Sequence, residues 1–354
     1  MAVDINPLLK TVVAHNASDL HLVAGSEPQV RIDGRLVPLN MPKLTGEDVQ
    51  EMCYSLITEK QKKQFEENNE LDFSFTFQKD ARFRANYYKT LGNVAAAFRI
   101  IPSKVPTIDE LGAPQIFKKL IKREKGLILV TGPTGSGKST TLAAMLNEIN
   151  EQEHKHIITI EDPVEFLHEN KKSLFSFREI GTDTRDYATA LKYALREDPD
   201  VILIGEMRDT ETIQAALTAA ETGHLVFATL HTNSAPGTIN RIIDVFPADA
   251  QAQVRAQLST SLVAVISQAL LPKQGGGRIA VHEIMINNPA IANLIRENKI
   301  HQIYSQMQLN QQETGMQTQT KELQKLLLNK VISKETALKY SNRPEEIVNF
   351  IKNL

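Results

Sequence analysis

The chain has 354 residues, with 40 Lys and Arg against 42 Asp and Glu, a formal net charge of −2, and one cysteine, Cys53. This near-neutral balance gives no overall positive field that would collect nucleic acid or anionic lipid. One cysteine excludes an internal disulfide and a tetracysteine zinc site, so Cys53 is expected to be an inert thiol on a helix. The sequence shows neither a secretory signal pattern nor an apolar run near the ~18 residues of a membrane span, which predicts a cytoplasmic protein.

Residues 1–101 are predicted to form a small α+β domain with an antiparallel sheet. Apolar residues recur with helical spacing near the amino terminus, at Ile5, Leu8, Leu9, Val12 and Val13. A second helical stretch is expected from Thr45 through Met52, Leu56 and Phe65. Strands are expected at 20–23, 29–32, 71–77, 82–88 and 94–101, with Asp33-Gly34 as a hairpin turn.

The pattern changes after a predicted linker at 102–112, whose first residues include two prolines. Short aliphatic runs at 126–130, 157–160, 201–204 and 225–230 then alternate with helical stretches, as in a parallel sheet covered on both faces. We place an α/β core at 113–288, in which glycines 275–277 join two late strands. A polar helical region is expected at 289–354.

A phosphate-binding loop is predicted at 132–139. The octet Gly132-Pro-Thr-Gly-Ser-Gly-Lys138-Ser139 matches G-x-x-x-x-G-K-[ST] and lies between an aliphatic run and a helix expected near Thr140. Glycines let backbone N–H groups surround an anion, and Lys138 is expected to bind the β- and γ-phosphates of ATP. Ser139 is expected to coordinate Mg²⁺. The predicted nucleotide-binding residues are Thr134, Gly135, Ser136, Gly137, Lys138, Ser139 and Thr140.

Acidic residues follow two of the aliphatic runs. Glu161 comes after 157–160, and Gly205-Glu206 follows 201–204, where a Walker B element usually carries an aspartate. Because the carboxyl ends of parallel strands line the ligand crevice, both acids are predicted to be catalytic. Glu161 is preferred as the base that activates water and Glu206 as the acid of the Mg²⁺ shell, although these two roles are exchangeable.

Two histidines flank the run at 225–230. His231 follows it and is predicted to lie near the γ-phosphate, where it would sense bound nucleotide, although a lone histidine at a strand end more often has a structural role. His224 precedes the run, and a structural role is expected for it.

Together these motifs resemble those of the secretion and type IV pilus motor ATPases. The resemblance covers nearly the whole chain, through Ala17-Ser-Asp-Leu-His-Leu22, the phosphate loop, Ile160-Glu-Asp-Pro-Val-Glu-Phe166 as the Asp box, 195–209 as Walker B and 222–234 as the His box. Within the family, Ala290-Ile-Ala-Asn-Leu-Ile-Arg-Glu297 is similar to a segment of the retraction motors. The missing cysteines argue against the extension and type II secretion motors.

The sequence departs from the retraction motors at two places. Ala292 stands where these motors usually carry arginine, and Gly315-Met-Gln-Thr-Gln-Thr320 lacks the Leu-Asp that commonly follows Gly-Met-Gln-Thr. Both places lie outside the nucleotide motifs. They therefore bear on the coupling to pilus disassembly rather than on hydrolysis.

The resemblance implies a RecA-like P-loop ATPase domain after a smaller PAS-like α+β domain. It also implies a homohexameric ring in which nucleotide is held between the two domains. Arg82, Arg84 and Arg99 match the family's strand arginines, which complete the catalytic sites. Without the resemblance, a solvated strand face is the favoured interpretation of these three residues.

The implied function is ATP hydrolysis that powers type IV pilus retraction and thereby twitching motility. The implied partners are further copies of the chain, an inner-membrane platform protein and, indirectly, pilin, at the cytoplasmic side of the bacterial inner membrane. Membrane association would be peripheral, through these partners, and no nucleic-acid partner is expected. An extension, secretion or accessory motor is the alternative within the family. A nucleic-acid translocase and a nucleotide-gated regulator that barely hydrolyses are alternatives from other classes.

Overall fold

The structure is a computed structural model that describes residues 4–15, 17–32, 34–78, 81–101, 104–309 and 311–353. The chain divides into two compact units, one of residues 1–104 with 165–167 and one of 105–164 with 168–354. The bounds given above for domains, linker and carboxy-terminal region stay predictions.

In its described residues, the amino-terminal unit is a six-stranded antiparallel sheet with three helices, in the strand order β3-β2-β1-β6-β5-β4. Its helices are α1 (Asn6–Ala14), α2 (Gly46–Tyr54) and α3 (Glu59–Asn68), and its strands are β1 (Asp19–Leu22), β2 (Gln29–Ile32), β3 (Arg35–Pro38), β4 (Glu70–Phe77), β5 (Ala81–Thr90) and β6 (Asn93–Ile101). Phe83, Ala85 and Tyr87 on β5 point into the core. Because strand side chains alternate, Arg82 and Arg84 lie on the opposite face of the sheet.

Two details of this unit differ from the sequence expectation. Val13 is 38% exposed, so it does not belong to the buried stripe of α1. The helical stretch after Thr45 is two helices, because Thr58 and Gln61 form a second capping box that starts α3. Asp33 of the predicted hairpin lies outside the described residues, and Ile32 pairs with Arg35 on either side of that turn.

Cys53 is buried in α2, and burial raises the pKa of its thiol to about 12. A thiol with such a pKa is almost fully protonated at neutral pH and is a poor nucleophile. The structure therefore agrees with the expectation of an inert thiol.

The carboxy-terminal unit is built on a seven-stranded sheet in the order β13-β12-β7-β11-β10-β8-β9. All neighbouring strands are parallel except β12 and β13, which form an antiparallel hairpin across glycines 275–277. The strands are β7 (Gly126–Thr131), β8 (His156–Glu161), β9 (Leu174–Glu179), β10 (Val201–Ile204), β11 (Leu225–Leu230), β12 (Leu262–Pro272) and β13 (Arg278–Ile286).

Helices cover both faces of this sheet. Alternate residues of its central strands enter two different hydrophobic clusters, with Ile158 and Ile202 in one and Ile157 and Leu203 in the other. The helices of the unit are α4 (Ile116–Leu120), α5 (Lys138–Gln152), α6 (Tyr187–Ala194), α7 (Thr210–Glu221), α8 (Ala235–Asp244), α9 (Gln251–Ser261), α10 (Pro289–Arg296), α11 (Ile303–Met307), α12 (Gln311–Thr314), α13 (Gln319–Leu328), α14 (Lys334–Tyr340) and α15 (Pro344–Lys352), with a 3₁₀ turn at Ile300–Gln302. Within the described ranges, no helix combines the length and hydrophobicity that a membrane crossing needs.

Candidate nucleotide site

The predicted site residues of the carboxy-terminal unit converge at the carboxyl ends of its parallel strands. Strands β7, β11, β10 and β8 are parallel neighbours in this order, so their carboxyl ends lie side by side. The phosphate loop follows β7, His231 follows β11, Glu206 follows β10 and Glu161 ends β8. The strand order thus places a phosphate-binding loop, an imidazole and two carboxylates along one crevice, as expected for an open α/β sheet.

The phosphate loop has the backbone of an anion-binding nest. Gly132, Gly135 and Gly137 have φ angles of 140°, 79° and 89°, which favour glycine. Lys138 is the first residue of α5, so the helix begins two residues before the expected Thr140. The Lys138 ammonium donates hydrogen bonds to the carbonyl oxygens of Gly132 and Pro133 over 2.9 and 3.1 Å.

The amino end of α5 differs from those of α6, α7 and α8. Asp186, Asp209 and Ser234 accept hydrogen bonds from the first turns of α6, α7 and α8. Helix α5 has no such side-chain cap, since its N-cap is Gly137. Its first N–H groups, together with the helix dipole, therefore suit an anion such as a phosphate.

Glu206 is held by two neighbours. Its Oε2 accepts a hydrogen bond from Arg208 over 2.6 Å, and its Oε1 lies 3.0 Å from Nε2 of His231. The hydrogen bond from Arg208 is the main reason why the pKa of Glu206 is lowered from its usual value. Because an ionised carboxylate only accepts, the contact with His231 places a hydrogen on Nε2 of the imidazole. The structure thus brings together two residues that the sequence singled out separately.

Gly205 lies close to the end of β8. A Cβ atom at position 205 would lie 3.1 Å from the Tyr187 hydroxyl and 3.2 Å from both Cα of Glu161 and the carbonyl oxygen of Ile160. Such distances are shorter than ordinary van der Waals contact, so a side chain at 205 would require Tyr187 and the end of β8 to shift by a few tenths of an ångström. This close approach is a structural reason for glycine at the place where a Walker B element usually carries an aspartate.

Tyr187 is a residue of this crevice that the sequence analysis missed. Burial is the largest cause of the raised pKa of its hydroxyl, and Asp162, Glu161 and Glu206 add to the effect through their negative charge. The hydroxyl therefore stays protonated and can donate a hydrogen bond at any physiological pH. Glu161 itself is 9% exposed at the end of β8.

His224 lies away from the crevice, at the amino end of β11. Its Nδ1 lies 3.0 Å from the carbonyl oxygen of Ala219 in α7, and its backbone N–H donates to the same carbonyl. These contacts close the turn between α7 and β11. They agree with the structural role expected for this histidine.

The segment that follows His231 is anchored to the carboxy-terminal helices. The amide of Asn342, between α14 and α15, donates to the carbonyl oxygen of Asn233 over 2.7 Å. The buried carboxylate of Glu283 on β13 accepts from the N–H of Ala235 over 2.8 Å. Asn342 and Glu283 were not predicted, because nothing local in the sequence marks them as neighbours of the His box.

The three candidate arginines lie in the amino-terminal unit, on one face of its sheet. Arg84 on β5 pairs in register with Arg99 on β6, and Arg82 lies two residues before Arg84. Arg99 donates to the buried Asp19 over 2.8 Å, and Arg84 lies 3.8 Å from Asp72. Arg82 donates to the Ser74 hydroxyl. The side chains of Arg84 and Arg99 are 45% and 69% exposed, so both guanidinium groups reach solvent.

Comparison with known proteins agrees with the motifs. The family model described as type II/IV secretion system protein matches residues 1–337. The chain is 54% identical over 342 residues to the type IV pilus retractation ATPase PilT of Pseudomonas aeruginosa, covering 97% of this chain and 99% of that protein. It is 51% identical over 348 residues to a twitching motility protein of Neisseria gonorrhoeae, covering 98% of this chain and 93% of that protein.

A solved structure gives the same result for the fold. The crystal structure of the pilus retraction motor PilT with bound ADP superposes with a TM-score of 0.92 at 51% identity, covering 98% of this chain and 99% of that one. The predicted fold class, an antiparallel α+β unit followed by an α/β P-loop unit, is confirmed. So is the resemblance to the secretion and pilus motor ATPases on which the sequence analysis relied. This chain belongs to the type II/IV secretion system protein family, whose members include the pilus retraction motors.

Proposed function

We propose that this chain is a motor ATPase that hydrolyses ATP to power type IV pilus retraction. The observation that carries the proposal is the row of neighbouring strand ends that brings the phosphate loop, His231, Glu206 and Glu161 into one crevice. Such an arrangement can bind a nucleoside triphosphate and place an acid beside the water that attacks it. The names of its relatives, which include a retraction ATPase and a twitching motility protein, supply the mechanical task.

The phosphate loop binds the triphosphate in this proposal. Residues 134–140 surround the phosphates with backbone N–H groups, and Lys138 supplies a mobile positive charge. In the structure that charge is already directed at the loop, because Lys138 donates to the carbonyl oxygens of Gly132 and Pro133.

The residues present fit Mg²⁺, which prefers oxygen ligands and keeps several waters. Ser139 at the start of α5 and Glu206 after β10 would hold the ion, and it would neutralise charge on the phosphates of the substrate. Among the described residues, no group of three or more His, Cys, Asp or Glu side chains is placed to bind a metal. The two donors Ser139 and Glu206 suit an ion bound partly through substrate phosphates rather than in a protein cage.

The contacts of Glu206 support Glu161 as the base. Arg208 and His231 both stabilise the ionised form of Glu206, and its pKa is lowered accordingly. A carboxylate with a lowered pKa is a weaker proton acceptor. We therefore assign water activation to Glu161, and to Glu206 and His231 the positioning of charge near the γ-phosphate.

We further propose that the motor is a ring of six copies in which Arg82, Arg84 and Arg99 complete the nucleotide site of a neighbouring copy. Guanidinium groups suit this role because the charge that develops during phosphoryl transfer is spread over several oxygens. The ring would act on an inner-membrane platform protein at the cytoplasmic side of the membrane, and through it on pilin. The single cysteine favours retraction over extension, and the segment 293–297 favours a retraction motor over an accessory one.

The test is to delete the gene in the source bacterium and count surface pili by electron microscopy. We expect excess pili and lost twitching, restored by the wild-type gene but not by Lys138→Ala. Lys155→Ala is the matched control. Lys155 pairs with Glu124 at the amino ends of the strands, away from the phosphate loop, so this variant should restore twitching. A bald surface would contradict the proposal in favour of extension, and unchanged pili would contradict it in favour of an accessory motor.

A further inference from the structure

Gln268 is a buried polar residue in an otherwise aliphatic strand. It lies in β12, is 4% exposed, and follows Ser267, which pairs with Thr131 at the end of β7. Strand β12 therefore runs alongside β7 and brings Gln268 to the start of the phosphate loop. A buried amide that lacked hydrogen bonds would cost about 1–3 kcal/mol, so the partners of Gln268 matter for the fold.

The side-chain amide of Gln268 contacts both the phosphate loop and the helix that follows it. Its Nε2 donates to the carbonyl oxygen of Ser136 over 2.7 Å. Its Oε1 accepts from the hydroxyl of Thr141, in the first turn of α5, over 2.8 Å. One planar group thus fixes the loop relative to α5.

Gln268 explains why the loop needs glycine at both ends. Its backbone lies against Gly132, and its side chain lies against Gly137. A Cβ atom on Gly132 would lie 2.1 Å from the carbonyl oxygen of Gln268, and one on Gly137 would lie 2.8 Å from its Nε2. Both distances are closer than a real Cβ atom can approach. The loop therefore packs directly onto this residue at its first and last glycine.

The contact with Ser136 also decides which way a backbone N–H points. In a trans peptide unit the C=O and the following N–H point in opposite directions. Because the Ser136 carbonyl is directed at Gln268, the N–H of Gly137 is directed away from Gln268. A phosphate-binding nest is built from backbone N–H groups whose directions are fixed in this way.

We propose that Gln268 is a positioning residue of the nucleotide site, which keeps the phosphate loop in its anion-binding conformation without touching the nucleotide. The inference rests on the proposed function, since it takes ATP as the ligand of the loop. It assigns to β12 a role in catalysis that lies outside the four nucleotide motifs.

The test compares Gln268→Met with the wild type and with Ser267→Ala. Methionine has nearly the same length and volume as glutamine but can neither donate to Ser136 nor accept strongly from Thr141. Ser267→Ala is the matched control, because it removes a buried hydroxyl from the neighbouring position of the same strand. The measurements are affinity for a fluorescent ADP analogue, kcat and KM for ATP, and thermal unfolding without nucleotide.

We expect Gln268→Met to lose tenfold or more in ADP affinity and in kcat/KM at a temperature where it is fully folded. Ser267→Ala should keep wild-type values. A Gln268→Met protein that is folded and keeps wild-type ADP affinity and kcat/KM would overturn the inference. So would a loss of activity that merely follows the fraction of unfolded protein as temperature rises.

Gln268→Glu provides a second variant should the methionine variant fail to fold. A protonated glutamic acid can donate to the Ser136 carbonyl, whereas the carboxylate repels it. We therefore expect the turnover of Gln268→Glu, divided by that of the wild type, to fall as pH rises, and a constant ratio would contradict the proposed contact. A wild type that shows no more turnover than Lys138→Ala would instead contradict the proposed ATPase function, so the two failures are distinguishable.

Discussion

Nε2 of His231 lies 3.0 Å from Oε1 of Glu206, so the His box and the Walker B element meet in a direct side-chain contact. The imidazole is 46% exposed and the carboxylate 17% exposed, so His231 is the member of the pair that reaches solvent. A ligand that draws His231 toward itself would break the contact between His231 and Glu206 and keep the one between Arg208 and Glu206. In the proposed function, nucleotide that moved His231 would therefore change the charge balance at Glu206.

The first prediction concerns the two acids of the crevice. Glu161→Gln and Glu206→Gln should each bind ATP with affinity near that of the wild type but lose turnover by about 100-fold or more, as expected for loss of an acid–base or charge-stabilising group. Phosphate release measures turnover, and a fluorescent ATP analogue measures binding. Normal turnover in either variant would remove that acid from the chemistry.

Glu197→Gln is the control for these variants. Glu197 forms an ion pair with Arg178 over 2.7 Å. It precedes the amino end of β10, whereas Glu206 follows the carboxyl end. Because this ion pair is partly exposed and lies away from the predicted site, Glu197→Gln should keep wild-type turnover.

The second prediction separates two glycines of the phosphate loop. Both Gly132 and Gly135 have positive φ angles, but a Cβ atom on Gly132 would collide with the Gln268 carbonyl, whereas one on Gly135 would meet open space. Gly135→Ala should cost about 1 kcal/mol from backbone strain alone. Gly132→Ala should cost clearly more, because the backbone of β12 or of the loop must also move. Urea unfolding of both variants tests this order, and equal losses would contradict it.

Local patterns were enough to predict most of the fold. The phosphate-loop octet and the uninterrupted aliphatic runs of β7, β8, β10 and β11 identified the parallel sheet, because a strand buried on both faces leaves an unmistakable run. Strand β9 was missed, since it lies at the edge of the sheet and its residues Leu174–Glu179 are mostly exposed or half-buried. Its sequence therefore lacks that signal.

Contacts between distant parts of the chain could not be predicted. Gln268 and Ser136 are 132 positions apart, and Asn342 and Asn233 are 109 positions apart, so their contacts depend on strand order and helix packing. A glutamine inside an aliphatic strand was the available signal for Gln268, because buried amides need partners. No comparable signal marked Asn342, which lies in a polar segment.

The third prediction concerns stability at acidic pH. His168 stacks on Phe175 with ring centroids 4.5 Å apart, and burial lowers its pKa from 6.5 to about 4. Its contribution to stability is therefore complete above pH 6.5, where folded and unfolded protein both carry the neutral ring. Between pH 6.5 and about 4 the unfolded chain gains a proton that the folded chain does not, which costs about 1.4 kcal/mol per pH unit.

His168→Phe should retain the stacking and remove this titration. Its free energy of unfolding should fall less steeply than that of the wild type from pH 6.5 to 5, measured by urea unfolding. The pKa of the buried His282 is also lowered by burial to about 4, so part of the pH dependence of the free energy of unfolding remains in the variant. His154→Phe, at an exposed position, is the control and should match the wild type. Equal slopes in all three proteins would show that His168 does not titrate as a buried group.

The fourth prediction concerns the anchor between the His box and the carboxy-terminal helices. Asn342→Ala removes the hydrogen bond to the Asn233 carbonyl, two residues after His231. We expect kcat to fall by about two- to tenfold with little change in KM, the range that corresponds to one net hydrogen bond of ~0.5–1.5 kcal/mol. Asn329→Ala, at the exposed end of α13, is the control. Unchanged kcat in Asn342→Ala would show that the anchor has no influence on the chemistry.

The last prediction tests whether the strand arginines act across copies of the chain. Arg84→Ala and Lys138→Ala should each be inactive alone. Mixed assemblies should regain activity, because a site with Lys138 from one copy and Arg84 from the next is intact in roughly a quarter of positions at equal mixing. Co-expression of differently tagged copies, purified through both tags, ensures that the assemblies are mixed.

Asp72→Ala separates a catalytic role of Arg84 from its ion pair. Asp72 lies 3.8 Å from the Arg84 guanidinium, and its loss removes the pair but keeps the charge. If Arg84 acts only through this pair, Asp72→Ala and Arg84→Ala should lose the same fraction of activity. If the guanidinium acts on the nucleotide of a neighbour, Asp72→Ala should stay active, since an exposed ion pair is worth about 0–1 kcal/mol. Mixed assemblies of Arg84→Ala and Lys138→Ala that stay inactive at every ratio would remove the support for an action between copies.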